Sequence, residues 1–166
     1  MLKTVFFILF VFVGFSYSIS IYFDKDDIQV PGTFKWEWMR VVELDASDRP
    51  TGEAKDYWSG GGRLKGTGKF IKGQEEGLWT YYHRNGQKEK EGYFKNGKPE
   101  GKWTFWHTNG KIDRVGMFKN GFYEGIWLFY YESGIKKAEG QFIEGDPVRG
   151  TWKFWNSFGT PEDFIY

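Results

Sequence analysis

The residues best suited to metal binding or acid–base chemistry in this chain are its two histidines, His83 and His107. They occupy equivalent positions of a repeated pattern and lie two predicted strands apart, which separates their backbones by roughly 9.5 Å. Tyr131 and Asn156 continue the same series of positions. Because the pattern supplies neither a third ligand nor an orienting partner, we expect no metal site and no catalytic histidine.

A glycine-rich stretch, Gly66–Lys69, resembles a phosphate-binding loop. Arg63 stands where the first glycine of such a loop belongs, Phe70 takes the place of its Ser or Thr, and no helix is predicted to follow. The stretch therefore gives no reason to expect a phosphate-bearing cofactor.

Several carboxylates are scattered among lysines, a pattern typical of cross-strand ion pairs rather than of a catalytic dyad. The chain has no cysteine, which excludes a thiol nucleophile, a disulfide framework and cysteine-based metal sites. We expect a protein that is not an enzyme and that carries no cofactor and no metal. The carboxylates in question are Glu89, Glu91, Asp113 and Glu139.

A column of aromatic residues is the feature with the most functional promise. Its members recur at one position of four successive units, on the predicted second face of the sheet. If exposed, such a stripe suits an extended ligand, namely a polysaccharide, a peptidoglycan strand or a strand of a partner protein. The alternative is that the rings only cover the second face of the sheet or support its glycines. These candidate binding residues are Tyr82, Trp106, Tyr130 and Trp155.

An internal repeat defines the elements that must position these residues. Units begin at Gly77, Gly101 and Gly125, which are 24 residues apart, and a half unit begins 25 residues later at Gly150. Each unit reads G-x-W-x-[FY]-[FYW], then a turn that ends in Gly, then G-x-F-x-x-G. The first half alternates at period two, as a strand does. Residues 56–73 are a degraded copy of the unit.

Two turns divide each unit into strands. Asn-Gly or Ser-Gly forms the first turn, and Asn-Gly between alternating runs is a strong hairpin signal. The stacked units predict an all-β protein, an open antiparallel β-meander of about eleven strands in a single-layer twisted sheet. The turn pairs are 85–86, 109–110 and 133–134 for the first turn, and 96–97, 120–121 and 144–145 for the second.

A two-residue first turn places the tryptophan of each unit opposite a glycine of the next strand. Opposed residues share one face of a sheet, and glycine leaves the space that an indole needs to lie across its neighbour strand. We therefore expect these residues and one Phe per unit to build the core face. The pairs are Trp79–Gly92, Trp103–Gly116 and Trp127–Gly140, and the phenylalanines are Phe94, Phe118 and Phe142.

Composition agrees with many short strands. Aromatic residues make up 22% of the chain, and 23 glycines are available for turns. The net charge is +1, with acidic and basic residues interspersed. This balance gives no reason to expect a nucleic acid or an anionic membrane surface as partner.

The N-terminus has the features of an export signal. An apolar run, Val5–Phe15, follows a short positive segment and is shorter than the about 20 residues of a membrane-spanning helix. Ser18 fits the small-residue pattern of a signal peptidase site, with Ser20 as an alternative. We predict a signal peptide over 1–18 and an exported protein that is periplasmic, on the cell surface or secreted. The alternative is an uncleaved N-terminal anchor, and only then do we expect contact with a membrane.

Atypical segments are predicted to cover the two edges of the open sheet. The strand Phe34–Leu44 precedes the repeats, and Pro161–Tyr166 follows them. The predicted organisation is a signal peptide over 1–18, an N-terminal capping region over 19–51 and a repeat domain over 52–166.

The units resemble the MORN repeat in its short variant, which is found in many bacterial proteins. The matching stretches are Gly92–Trp103 and Gly116–Trp127, and the likeness covers about Gly52 to Gly159. The resemblance implies a curved, single-layer antiparallel sheet that serves in binding or scaffolding, and some such proteins carry the label YwqK-like antitoxin. Ile21–Asp26 and Arg40–Asp45 also look like the lead-in of envelope proteins with these repeats.

We therefore expect an exported, non-catalytic binding or scaffold module whose partner is a protein or an envelope polysaccharide. One alternative is an antitoxin or immunity-type protein that neutralises a toxin. Another is a cell-wall or carbohydrate-binding repeat module. A hydrolase would require a cleft with convergent polar groups.

Overall fold

The computed structural model describes residues 17–23, 29–30, 37–60 and 62–162, and it divides into two units, one up to Gly86 and one from Gln87. Every regular element in the described residues is a strand, and all pairings are antiparallel. The all-β meander of hairpin repeats is thus confirmed. The described residues hold 14 strands rather than about eleven, because two-residue strands carry no alternation that a sequence pattern could reveal.

The first unit is an antiparallel sheet whose strands lie in the order β6-β5-β4-β3-β1-β2. Only β1 and β2 depart from simple chain order, because β1 pairs with both β3 and β2. Its strands are β1 (Tyr17–Phe23), β2 (Gln29–Val30), β3 (Trp38–Leu44), β4 (Pro50–Trp58), β5 (Leu64–Ile71) and β6 (Gln74–Tyr82).

The second unit is a meander in which the strands β7 to β11 follow one another in chain order, and β13 and β14 continue the sheet beyond β11. The short strand β12 also pairs with β11. Its strands are β7 (Lys88–Lys95), β8 (Lys98–Trp106), β9 (Ile112–Lys119), β10 (Phe122–Tyr130), β11 (Lys136–Ile143), β12 (Asp146–Pro147), β13 (Lys153–Trp155) and β14 (Pro161–Glu162).

The predicted terminal segments fall partly on described residues. Residues 1–16, which contain most of the predicted signal peptide, lie outside the described residues, as do residues 31–36 and 163–166. The strand predicted over Phe34–Leu44 is observed from Trp38 onwards as β3. No helix in the described residues is long and apolar enough to span a membrane.

The second turn of each unit is the predicted two-residue turn. Asn96 and Gly97 both have positive φ, 52° and 74°, and the pairs 120–121 and 144–145 repeat this. Two successive positive φ values define a type I′ turn, whose twist matches that of the flanking strands.

The first turn is longer than the predicted two residues. The His107 N–H donates to the Lys111 carbonyl at 2.8 Å, so three residues, 108–110, form the loop, and of these only Gly110 has positive φ. The predicted register survives because the sheet is irregular beside the loop: Phe105 pairs with Arg114 but Trp106 pairs with Ile112. The extra loop residue and the skipped strand residue cancel.

The tryptophan register is confirmed in the second unit, where Trp103 pairs with Gly116 and Trp127 pairs with Gly140. The remaining predicted pair joins Trp79 of the first unit to Gly92 of the second, and it stays a prediction.

Each indole, however, lies across the glycine of the preceding strand, which corrects the expectation that it covers the glycine of the next one. A Cβ atom on Gly92 would stand 2.2 Å from the Trp103 ring. The Trp103 indole N–H donates to the Tyr93 carbonyl, 3.1 Å away, at the point where the ladder between β7 and β8 is irregular. The bulge at Gly101, with φ of 71°, interrupts the ladder there, so the Tyr93 carbonyl accepts from the indole.

The same arrangement recurs along the chain and forms the core face of each unit. The indoles of Trp79, Trp103 and Trp127 are at most 3% exposed, and each burial removes roughly 150–250 Å² from water. At about 25 cal/mol per Å² this stabilises the fold by roughly 4 kcal/mol or more per ring. The phenylalanine of the preceding strand packs edge-on against each indole, in the pairs Phe70–Trp79, Phe94–Trp103, Phe118–Trp127 and Phe142–Trp152.

Candidate functional site

Two members of the histidine series, His107 and Tyr131, link successive repeats. His107 Nε2 lies 3.0 Å from the Tyr130 carbonyl, and the Tyr131 hydroxyl donates to the Trp155 carbonyl at 2.9 Å. Both contacts join a side chain to the backbone of the following repeat. Asp113 lies 3.7 Å from His107, too far for a hydrogen bond, and its carboxylate accepts from Arg114 at 2.6 Å instead. Within the described residues no group of three or more His, Asp or Glu side chains is arranged to hold a metal ion.

The stretch that resembles a phosphate loop lies inside β5. Gly68 belongs to the core framework, because a Cβ atom there would stand 2.1 Å from the Trp79 ring. Gly66 faces the Tyr81 ring in the same way, at 3.0 Å. The glycines at these positions are therefore explained by packing against aromatic rings.

The first unit holds a buried ion pair in its core face. Arg40 donates two hydrogen bonds to the Asp56 carboxylate, at 2.7 and 2.9 Å, and its guanidinium lies over the rings of Phe70 and Trp79. Burial lowers the pKa of Arg40, but hydrogen bonding to Asp56 and the charge of that carboxylate outweigh it and the pKa is raised. With both charges paired, the cluster offers no free acid or base, and removal of one partner alone would leave an uncompensated buried charge.

The outer face of the second unit is the face opposite Trp103 and Trp127, and it carries the predicted aromatic column. Trp106, Tyr130 and Trp155 are half-buried there, and Tyr82 of the first unit is half-buried as well. The four rings of the column are thus partly exposed to solvent.

Two rings of the column have an ammonium group beside them. Lys88 Nζ lies 5.6 Å from the centre of the Trp106 ring, and Lys136 Nζ lies 5.0 Å from that of Trp155. Each of these lysines also forms an ion pair, Lys88 with Glu91 at 2.6 Å and Lys136 with Glu139 at 2.9 Å. Each of these two lysines therefore contacts a tryptophan ring and has its charge paired with a glutamate.

These ion pairs correct the expectation of cross-strand pairing in part. Lys88–Glu91 and Lys136–Glu139 each lie within one strand, whereas the 3.1 Å contact of Glu139 with Lys153 crosses from β11 to β13. The irregularity at the end of β11 allows the pairing, since a regular strand places residues i and i+3 on opposite faces. The two hydrogen bonds, from Lys136 and then Lys153, lower the pKa of Glu139.

The middle repeat breaks this pattern. At the positions that Lys88 and Glu91 hold in one repeat, and Lys136 and Glu139 in another, the hairpin of β9 and β10 has the apolar residues Ile112 and Val115. Nearby outer-face positions are apolar as well. We call this set the apolar patch, and it comprises Ile112, Val115, Met117, Phe122, Ile126 and Leu128.

Four members of the apolar patch are strongly exposed: Ile112 at 41%, Met117 at 47%, Phe122 at 57% and Ile126 at 67%. They stand on strands whose neighbours are hydrogen-bonded on both sides, β8 next to β9 and β11 next to β10. Large apolar side chains clustered on an exposed sheet face and rimmed by charged residues are typical of an interaction surface.

The residues that the repeats share do not reveal the apolar patch. The informative signal is where they differ: Ile126 stands at the position of Lys102 in the neighbouring repeat, and Met117 at that of Tyr93. An alignment of the repeats column by column shows this difference without a structure.

Comparison with known proteins supports the repeat assignment. The family model described as MORN repeat variant matches residues 75–96, 99–120 and 123–144, which are three consecutive repeats and suggest a repeat binding module. No curated protein matches the chain. A solved structure titled "Crystal Structure of TarM" is similar over 64% of this chain and 20% of that one, at 9% identity and a TM-score of 0.38. The chain spans about a fifth of that protein, and a likeness at this level carries no argument about function.

Proposed function

We propose that this chain is an exported, non-catalytic repeat module that binds a partner protein through the outer face of its second unit. The exposure of the apolar patch carries the proposal, since Ile126 and Phe122 leave more than half of their surface in water on a sheet that already has a complete core face. Neutralisation of a toxin would be one case of such protein binding.

A protein partner suits this face better than an envelope polysaccharide. Sugar rings stack on open aromatic faces, and the two tryptophans of the column have lysine ammonium groups beside their rings, at 5.6 Å from Trp106 and 5.0 Å from Trp155. Aliphatic side chains such as Ile126 and Met117 instead favour apolar side chains of another protein.

The non-catalytic part of the proposal rests on how the polar side chains are used. His107 is bound to a backbone carbonyl, and Glu91, Asp113 and Glu139 are in ion pairs. Each of these groups is thus already engaged in a contact that holds the fold together, rather than poised as an acid, base or nucleophile for a substrate.

The export part of the proposal gains a preferred cleavage position. Ile19 in β1 is only 3% exposed, and it pairs with Val42 of β3. Cleavage after Ser18 keeps Ile19 in the mature core, whereas cleavage after Ser20 removes it. We propose cleavage after Ser18, to be checked by N-terminal sequencing of the exported protein.

A pull-down from envelope extract with tagged variants tests the binding function. We expect Ile126→Lys to lose the captured partner, and Leu78→Lys, the same change at the equivalent position of another repeat, to keep it. A Trp106→Ala/Trp155→Ala double variant keeps capture if the apolar patch is the site and loses it if the column is. Circular dichroism checks the fold of each variant. If the wild-type chain captures nothing from its compartment, the binding function is wrong.

A further inference from the structure

We propose that the apolar patch and a cluster of lysines beside it form a docking surface for an acidic amphipathic helix of a partner protein. This rests on the proposed function and names the chemistry of the partner. The helix would lay its apolar stripe on Met117 and Ile126 and turn carboxylates toward the lysines.

The lysine cluster consists of Lys95, Lys98, Lys102 and Lys119, all of them exposed. Register places these lysines on the outer face with the apolar patch: Lys95 pairs with Lys98, Lys102 with Met117, and Lys119 with Phe122. Within the described part of the chain, none of the four lysines makes an ion pair.

The nearest outer-face carboxylates, those of Glu100 and Glu124, offset only part of the charge of the lysine cluster. Glu100 accepts a hydrogen bond from the Asn120 backbone N–H at 2.8 Å, and Glu124 accepts one from the Glu144 N–H at 3.1 Å. Both carboxylates keep their negative charge in these contacts with neutral donors, but four lysines outnumber two glutamates on this part of the face. The cluster leaves a positive field next to an apolar surface, and its complement is an apolar surface flanked by negative charge.

The strands of the apolar patch also determine how a partner can bind. Because β9 pairs with β8 and β10, and β10 pairs with β11, their backbone groups are already in ladders and cannot accept an added strand. Binding must use side chains on the face of the sheet. Helices and sheets both pack on sheet faces, and a single amphipathic helix does so with its backbone hydrogen bonds already satisfied internally, which a single added strand does not.

A second copy of this chain fits the surface poorly. A symmetric pair of copies brings the same patch of each against the other. Two surfaces on which lysines outnumber carboxylates would then face each other, which disfavours the pair. An acidic partner removes this repulsion.

The test uses the full mature chain and a fluorescein-labelled designed helix of about 18 residues with a leucine stripe flanked by glutamates. Binding is followed by fluorescence anisotropy at low and high salt. We expect the affinity to fall about ten-fold or more for Ile126→Lys, and similarly for Lys102→Glu/Lys119→Glu. The controls, Leu78→Lys and Lys55→Glu/Lys72→Glu, change the same residue types in the first unit and should bind like the wild-type chain.

Each of the following outcomes overturns the proposal. One is equal binding of a helix whose glutamates are replaced by lysines, or an affinity that does not respond to Ile126→Lys. Another is binding of phosphatidylglycerol vesicles with no binding of the helix, which assigns the surface to lipid. The last is self-association in analytical ultracentrifugation that Ile126→Lys abolishes. If the chain captures a partner from envelope extract but does not bind the designed helix, only this inference is wrong and the proposed binding function is retained.

Discussion

The full repeat around Trp127 and the half repeat around Trp152 place an indole over glycine in the same way, but only the full repeat completes its hydrogen bonds. The Trp127 indole N–H donates to the Met117 carbonyl at 3.1 Å. The Trp152 indole N–H is buried and has no partner. The corresponding carbonyl, that of Gln141, accepts the Val148 N–H at 2.8 Å instead.

The one extra residue of the last repeat accounts for this difference. In the other repeats the strand after the type I′ turn runs unbroken over nine residues, as β10 does. Here it is divided into β12, with two residues, and β13, with three, and Val148 occupies the carbonyl that an indole takes elsewhere. The repeat spacing, and not only its residue types, therefore decides whether the buried indole is satisfied. End units of repeat arrays are atypical in this manner.

Substituting the glycine under each indole should give the largest difference between the two repeats. A Cβ atom on Gly116 would stand 2.2 Å from the Trp127 ring, and one on Gly140 would stand 2.3 Å from the Trp152 ring. We expect Gly116→Ala to cost about 3 kcal/mol or more, because the fully buried Trp127 cannot shift. Gly140→Ala should cost about half as much, because the short strand β13 can move.

Urea unfolding, followed by tryptophan fluorescence, measures both costs. Gly134→Ala serves as a contrast, because this loop glycine has positive φ and its substitution costs backbone strain, whereas Gly116 and Gly140 do not have positive φ and their substitution tests contact with the indole. Equal costs at Gly116 and Gly140 would show that the half repeat is held as rigidly as the full one.

Exchanging each tryptophan for phenylalanine isolates the indole N–H. Trp127→Phe removes a hydrogen bond and leaves a cavity, and we expect a loss of about 3 kcal/mol. Trp152→Phe removes a buried donor that has no partner, so relief of that penalty offsets part of the lost packing, and the net cost should be about 1 kcal/mol or less. Denaturant titration measures both. A larger cost at Trp152 than at Trp127 would contradict the comparison.

The sequence predicts the framework of these repeats well because period and turn chemistry are local. Asn96-Gly97 fixes a type I′ turn through its own backbone preferences, and alternation places Trp103 and Gly116 on one face. The direction of each indole is not local, since it depends on the bulge at Gly101 and on which carbonyl that bulge leaves within reach. The length of the first turn is not local either, because the residue skipped in the neighbouring strand compensates for its three-residue loop.

The sequence predicts the aromatic column of the candidate site but not the apolar patch. The aromatic column could be read from periodicity, but its half-burial beside Lys88 and Lys136 depends on side-chain packing. The apolar patch comes from departures such as Ile126 for Lys102, which a search for shared residues passes over.

Removal of a single hydroxyl tests the link between the full repeat and the half repeat. The Tyr131 hydroxyl donates to the Trp155 carbonyl at 2.9 Å. We expect Tyr131→Phe to cost about 1 kcal/mol, the usual net value of one hydrogen bond. The effect should be local to the half repeat, so amide hydrogen exchange should rise in β13 and β14 and stay unchanged in β9. Faster exchange throughout the second unit would instead mean that the half repeat unfolds together with the rest.

The smallest effect concerns the ion pair that joins β13 to β11 on the outer face. Hydrogen bonds from Lys136 and Lys153 lower the pKa of Glu139 below its ordinary value of 4.5. A carboxylate with a lowered pKa in the folded state stabilises the protein above its unfolded pKa, and the stabilisation is lost as pH falls through the folded pKa. Because these partners are partly exposed, Glu139→Gln should cost at most about 1 kcal/mol at pH 7. The difference from wild type should shrink as pH falls below 4.5 and should also shrink in 1 M salt. A cost that persists in acid would mean that Glu139 acts through packing rather than through its charge.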